Sequence, residues 1–166
     1  MQCMIEISGT VLSGAFTRAL PTIWTKIVVT YGVELTLAYW SSPSRFDKII
    51  KPLLLQLALP FKVKVVTSAI VALASKARSE ENFKVINSVL MEYMTSESAA
   101  VRLAAIETER ELYAELGTEW AKMLPPTVPI ISEVMEDEDD NVIDAAQLWI
   151  ATIEKVTGIS MQKLLT

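Results

Sequence analysis

The chain has 166 residues, 51% apolar and 21% charged, which excludes a disordered polymer and leaves room for one ordinary domain or about four helical pairs. It has a single cysteine, Cys3, and no histidine, which excludes an internal disulfide, Ser-His-Asp and Cys-His catalysis, and zinc sites built on imidazole. The net charge of −5 hides an asymmetry: residues 1–78 carry nine Lys or Arg against three acids, and residues 79–166 carry six against seventeen.

From the N-terminus, Glu6 and Arg18 and the lack of a basic start argue against a signal peptide. Residues 3–19 read as a helix with Ile5, Leu12, Ala15 and Ala19 near one face. Pro21 suits the first turn of a second, in which Trp24, Ile27, Val28 and Tyr31 fit a helical period better than alternation. This apolar window is interrupted by Lys26, Gly32 and Glu34 and makes a poor membrane span. The expectation is a soluble intracellular chain.

Ser42-Pro43 is a start signal, a hydroxyl N-cap followed by Pro at the first helical position. The helix to Ala58 has Phe46, Ile49, Ile50, Leu53, Leu54 and Leu57 on one face, with Pro52 as a kink. After Pro60, Phe61 to Ala77 predicts an apolar helix with Val65, Ala69, Ala72 and Leu73 towards a neighbour. Ser79 caps a helix bearing Phe83, Ile86, Val89, Leu90 and Tyr93, with Glu80 and Glu81 in its first turn. Ala99–Leu116 forms the next, closed at Gly117 by a left-handed cap. Trp120 opens another that Pro125, Pro126 and Pro129 bend or restart. Asp140 or Asn141 caps the last long helix, Gly158 ends it, and SMQKLL adds a short turn over the open end.

These helices repeat. Leu124 to Ile150 has the layout of a HEAT repeat, two antiparallel helices joined by an Asp-rich turn. Val142, Ala145 and Ala146 recur as Val101, Ala104 and Ala105 at a shift of 41 residues, and a looser copy places Val65, Ser68 and Ala69 a further 36 upstream. Small residues at such places predict close helix approach at Ala104, Ala105, Ala145 and Ala146. The fold expected is an all-α, HEAT/armadillo-like solenoid of about three to four helical pairs, one domain over 1–166.

Four strings resemble a known family: YWSSPSRFDKIIKPLLLQL at 39–57, AVRLAAIETERELYAELG at 100–117, LGTEWAKMLPPTVPIISEVMEDEDDNV at 116–142 and VTGISMQKLLT at 156–166. They look like the C-terminal end of the giant HEAT-repeat subunit of the small-subunit processome, the U three small nucleolar RNA-associated protein ten family, with a fungal flavour. Residues 1–38 match less clearly, and Ile143 stands where HEAT repeats usually carry Arg. The resemblance implies a non-catalytic, nucleolar scaffold in pre-rRNA processing and small-subunit assembly, whose partners are other protein subunits of a ribonucleoprotein. The alternatives are an RNA-binding module that uses the basic N-terminal half, and an unrelated HEAT adaptor.

The candidate chemistry is sparse. An EF-hand starting at Asp137 would need Gly and Glu where the chain has Val142 and Leu148, so calcium is not expected. Capping explains much of the acidic loop, leaving Glu136, Glu138 and Asp140 as an acidic surface for a partner. Arg45, Lys48, Lys51, Lys62 and Lys64 are the candidate RNA-facing patch, without interleaved aromatics. Trp24, Trp40, Trp120 and Trp149 are expected in the core rather than stacked on bases. No phosphate-binding Gly-rich motif is present, and no enzyme activity, cofactor or metal is expected. In many HEAT stacks a turn Asp meets an Arg opening a neighbouring helix. Here the halves fall in different copies, so Arg102 is expected to pair with Asp137 or Asp139 across the repeat boundary, as an exposed pair worth about 0–1 kcal/mol.

Overall fold

The structure, a computed structural model, describes Phe46, Ile50, residues 53–58 and residues 63–164. The expectations for the N-terminal helices, for Trp24 and Trp40, and for the Ser42-Pro43 start lie outside the described residues. Five α-helices follow one another within that range: α1 (Val63–Ala77), α2 (Glu80–Met94), α3 (Ala99–Leu116), α4 (Leu124–Val134) and α5 (Asp140–Thr157). Short 3-10 segments occupy Leu55–Ala58, Gly117–Met123 and Met161–Lys163. The described residues contain no strand. The fold is all-α and solenoid-like, and the order of contacts shows the stacking: α3 packs on α1 on one side and α5 on the other, with α2 beneath it, and α2 meets α4 in a second row.

Local sequence explains each helix. Ser79 adopts extended backbone and its Oγ accepts from the Asn82 N–H, while Glu80 and Glu81 occupy the first turn, where the helix dipole favours acids. Phe83, Ile86, Leu90 and Met94 then recur at three- and four-residue spacing and are buried. Burying side chains of this size is worth about 1.5–3 kcal/mol each. The chain enters α4 through Gly117–Met123, a 3-10 stretch that contains Trp120 where the sequence predicts the start of a helix. Pro125 and Pro126 lie in the first turn of α4, where a missing N–H costs little; Pro129 is inside the helix and exposed to solvent.

Two glycines end helices at positive φ. Gly158 is in the left-handed region (φ 70°, ψ 7°), and its N–H closes α5 on Glu154 O. Gly117 has φ 59° but ψ −131°, so the cap of α3 is an extended glycine turn and not the left-handed cap expected. Asp139, not Asp140 or Asn141, is the N-cap of α5; its Oδ1 accepts from the Asn141 N–H at 2.9 Å. Met161 is fully buried, and its N–H donates to Glu154 Oε1 at 2.8 Å. The final turn therefore packs back on α5.

The core runs through every element described. Trp120 and Trp149 are its largest fully buried side chains, and Trp120 meets Phe83 edge to face at 5.2 Å. Ala104, Ala105 and Ala146 are buried as expected, whereas Ala145 is half-buried. The register of the most upstream copy is corrected. Val65 is 41% exposed and Ser68 is exposed, while Val66, Thr67, Ile70, Leu73 and Ala74 are buried. A shift of 35 rather than 36 residues superposes this face on Val101, Arg102, Ala105, Thr108 and Glu109. One residue turns a helix by about 100°, enough to move a core position into solvent.

Candidate functional site

The acidic turn between α4 and α5 meets the start of α3 through Arg102. Its Nε and Nη2 donate to Asp137 Oδ2 and Oδ1, both at 2.7 Å, forming a two-pronged pair. Nη1 donates to the carbonyls of Ser96 and Glu97, at 2.8 and 3.2 Å. Asp137 Oδ1 also accepts from the Asp139 N–H at 2.9 Å. One guanidinium thus ties the turn before α3 to the turn before α5. Both side chains are only 8% exposed, so the pair is enclosed where the sequence predicts an exposed one. The hydrogen bond to Asp137 holds Arg102 above its ordinary pKa, and the guanidinium holds Asp137 below the usual carboxylate range.

The neighbouring acids divide by role. Asp139 does not share Arg102, because its carboxylate accepts from the backbone N–H and side-chain amide of Asn141. Glu138 is exposed and reaches Arg102 Nη2 only at 3.7 Å. Glu136 and Asp140 are exposed as well, so three carboxylates of the turn face solvent. Of the basic patch, Arg45, Lys48, Lys51 and Lys62 lie outside the described residues, and Lys64 is exposed on α1. Among the described residues, no group of His, Cys, Asp and Glu has the arrangement to hold a metal ion. No described helix is long and apolar enough to cross a membrane.

A second polar group inside the stack is one that sequence reasoning missed. Glu109, in the middle of α3, is buried and its Oε2 accepts from Trp120 Nε1 at 2.7 Å. Its other oxygen and the Tyr113 hydroxyl one turn later have no partner. Burial pushes the Glu109 carboxyl up to about 8, so the side chain is mostly neutral at pH 7. Burial also raises Tyr113. Nearby helices are joined by hydroxyls. Thr108 Oγ1 donates to Ala104 O at 2.7 Å and lies 2.9 Å from Thr67 Oγ1, which links α3 to α1. Thr127 Oγ1 donates to Met123 O at 2.6 Å and is 3.2 Å from Asn87 Oδ1, linking α4 to α2. A signal for Glu109 is present in the sequence: at the 41-residue shift it occupies the place of Ile150. Glu109 is 1% exposed, enclosed between helices of the stack.

The arrangement ties neighbouring helices and turns to one another through Arg102 and the buried hydroxyls. No protein-family model matches the chain. Curated proteins do. A protein of Phaeosphaeria nodorum named U3 small nucleolar RNA-associated protein 10 is 39% identical over 132 residues, covering 77% of the chain. The proteins of the same name from Schizosaccharomyces pombe and Neurospora crassa are 40% and 39% identical over 77% and 76% of the chain. The chain spans about 8% of the length of these relatives. With this identity along three quarters of its length, the chain belongs to the U3 small nucleolar RNA-associated protein 10 family.

Proposed function

We propose that the chain is a non-catalytic HEAT-type scaffold segment that docks other protein subunits during small ribosomal subunit assembly, with the nucleolus as its place of work. The observation that carries this reading is the 38–40% identity to relatives named for association with the U3 small nucleolar RNA. The fold supports it, because a solenoid exposes a long surface for its mass and has the edges of its repeats free for partners. The charge supports protein over RNA as the partner of the α2–α5 region, since residues 79–166 carry six basic residues against seventeen acids. We take 1–166 to be a single stacked unit. No step of chemistry is assigned to it.

The test is association in a cell. Expressed with an affinity tag in a fungal cell, the chain is expected to concentrate in the nucleolus and to co-purify small-subunit precursor proteins. That association should survive ribonuclease. Co-purification no greater than that of an unrelated HEAT protein of similar charge would sink the assignment. Complete loss on ribonuclease treatment would replace protein docking with RNA binding.

A further inference from the structure

We propose that the groove between α3 and α5 receives an amphipathic helix of a partner protein, one whose leucine-type ridge is flanked by lysines or arginines. The proposal rests on the scaffold reading and names the surface and the chemistry of the partner. The groove has a volume of about 240 Å³, with Leu103 of α3 and Ala145 and Leu148 of α5 as its apolar part. Leu148 is 56% exposed, although its neighbours Trp149 and Ile153 on the same helix are fully buried. A lone exposed leucine is ordinary on a protein surface. Here it lies on a concave strip whose lining also carries Glu107, Arg110 and Asp144, and the apolar strip and the charges together define the groove. A trough between two packed helices also matches the ridge of a third.

Charge selects the occupant. Glu107 and Arg110 line the α3 wall and Asp144 the α5 wall. Glu111 and Asp140, four residues from Glu107 and Asp144, continue the two walls on the same helix faces and are exposed. Among the described residues, none of these five side chains makes an ion pair. Elsewhere on the surface opposite charges do meet, Lys84 with Glu80 at 2.8 Å and Arg78 with Glu119 at 3.0 Å. Glu107 and Glu111 instead form a like-charge pair one turn apart, which an isolated helix disfavours. Four carboxylates against one guanidinium repel nucleic acid and draw a cationic segment. A second copy of the chain, meeting this face with the same face, would set acid against acid. Arg110 at one end asks for a single acid on the partner and so orients it.

The experiment uses the intact chain and measures fluorescence anisotropy with labelled probes. The first is a designed amphipathic peptide with Leu at i, i+3 and i+7, lysines on both flanks and one Glu. The second replaces its lysines by Glu, the third scrambles its order, and the fourth is a single-stranded RNA. The basic amphipathic peptide is expected to bind, and the scrambled one to bind about tenfold more weakly or worse. Leu148→Glu should weaken the basic peptide about tenfold or more. Glu107→Lys with Asp144→Lys should lose the basic peptide and gain the acidic one. All three positions are exposed or half-exposed, and circular dichroism verifies that the variants remain helical. Equal binding of the scrambled peptide, indifference to Leu148→Glu, RNA binding lost in Leu148→Glu, or a dimer dissolved by Leu148→Glu would each overturn the proposal. The two readings separate in the cell. Leu148→Glu that still joins small-subunit precursors at full level defeats the groove and spares the scaffold. Wild-type chain that binds the peptide but joins no such particle defeats the scaffold and spares the groove.

Discussion

Helices α3 and α5 are equivalent members of neighbouring repeats, yet they are built differently inside. Ala105 and Ala146 are buried at one shared place, Leu112 and Ile153 at another. At other shared places α3 buries Arg102, Thr108 and Glu109, where α5 has Ile143, Trp149 and Ile150. The cause is position in the stack. α3 is packed by α1 on one side, α5 on the other and α2 beneath, so burial reaches residues that an amphipathic pattern would assign to its flanks. α5 meets α3 on one flank and also Gly117–Met123, α4 and the final turn, and it leaves Gln147, Leu148 and Ala151 exposed. The helix packed on more sides takes polar groups into the core, including a Glu109 oxygen and the Tyr113 hydroxyl that have no partner. α5 is held by one deep aromatic anchor, Trp149, whose Nε1 is likewise buried without one.

Removing the anchor of α5 should have the largest effect. Trp149→Ala is expected to cost about 3–5 kcal/mol in urea denaturation, as for other fully buried aromatics. A loss below about 1 kcal/mol would mean that the end helix is held by something other than its apolar face.

The next effect belongs to α3 and depends on pH. The Glu109 carboxyl is raised from 4.5 to about 8 in the folded chain, so the folded state holds a proton that the unfolded state releases. Its contribution is fully present below about pH 4.5 and is lost as pH rises to about 8, on the order of 4 kcal/mol across that window. Glu109→Gln keeps an acceptor for Trp120 and removes the titration. The variant should match the wild type near pH 4.5 and exceed it in stability near pH 8. Parallel stability curves for the two proteins would show that Glu109 is ionised within the fold.

Giving α3 the residue of α5 is the third comparison. Arg102→Ile leaves Asp137 and the carbonyls of Ser96 and Glu97 without their donor, and should cost about 2–3 kcal/mol. Adding Asp137→Asn should recover part of that loss, and a double-mutant cycle measures the coupling. Purely additive losses would reduce the pair to a surface contact. The smallest effect separates two adjacent alanines of α5. Ala146→Leu should overpack the buried contact by about 1–3 kcal/mol, while Ala145→Leu, on the half-buried groove wall, should cost less than about 1 kcal/mol. Equal penalties would erase the groove from this face.

What the sequence determined by itself is local or periodic. The bounds of α3, the Ser79 cap, the glycine endings and the recurrence of Ala105 as Ala146 all follow from residue type and spacing, which act over one or two helical turns. The meeting of Arg102 with Asp137 was legible too, because repeats of known period place one turn beside the next helix start. The one-residue error at Val65 shows the limit of that logic: α1 has an apolar stripe through Val66, Ile70 and Leu73, and matching small residues between copies of unequal spacing misses it by one place. Glu109 shows it again: its alignment with Ile150 hints at a core place, but a carboxylate inside ETERELY still reads as solvated surface until its neighbours are known. The enclosure of Arg102, the neutral carboxyl of Glu109 and the exposure of Leu148 were decided only by the tertiary stack. Burial is a property of what surrounds a residue, and in a solenoid those surroundings come from other repeats about 40 residues away.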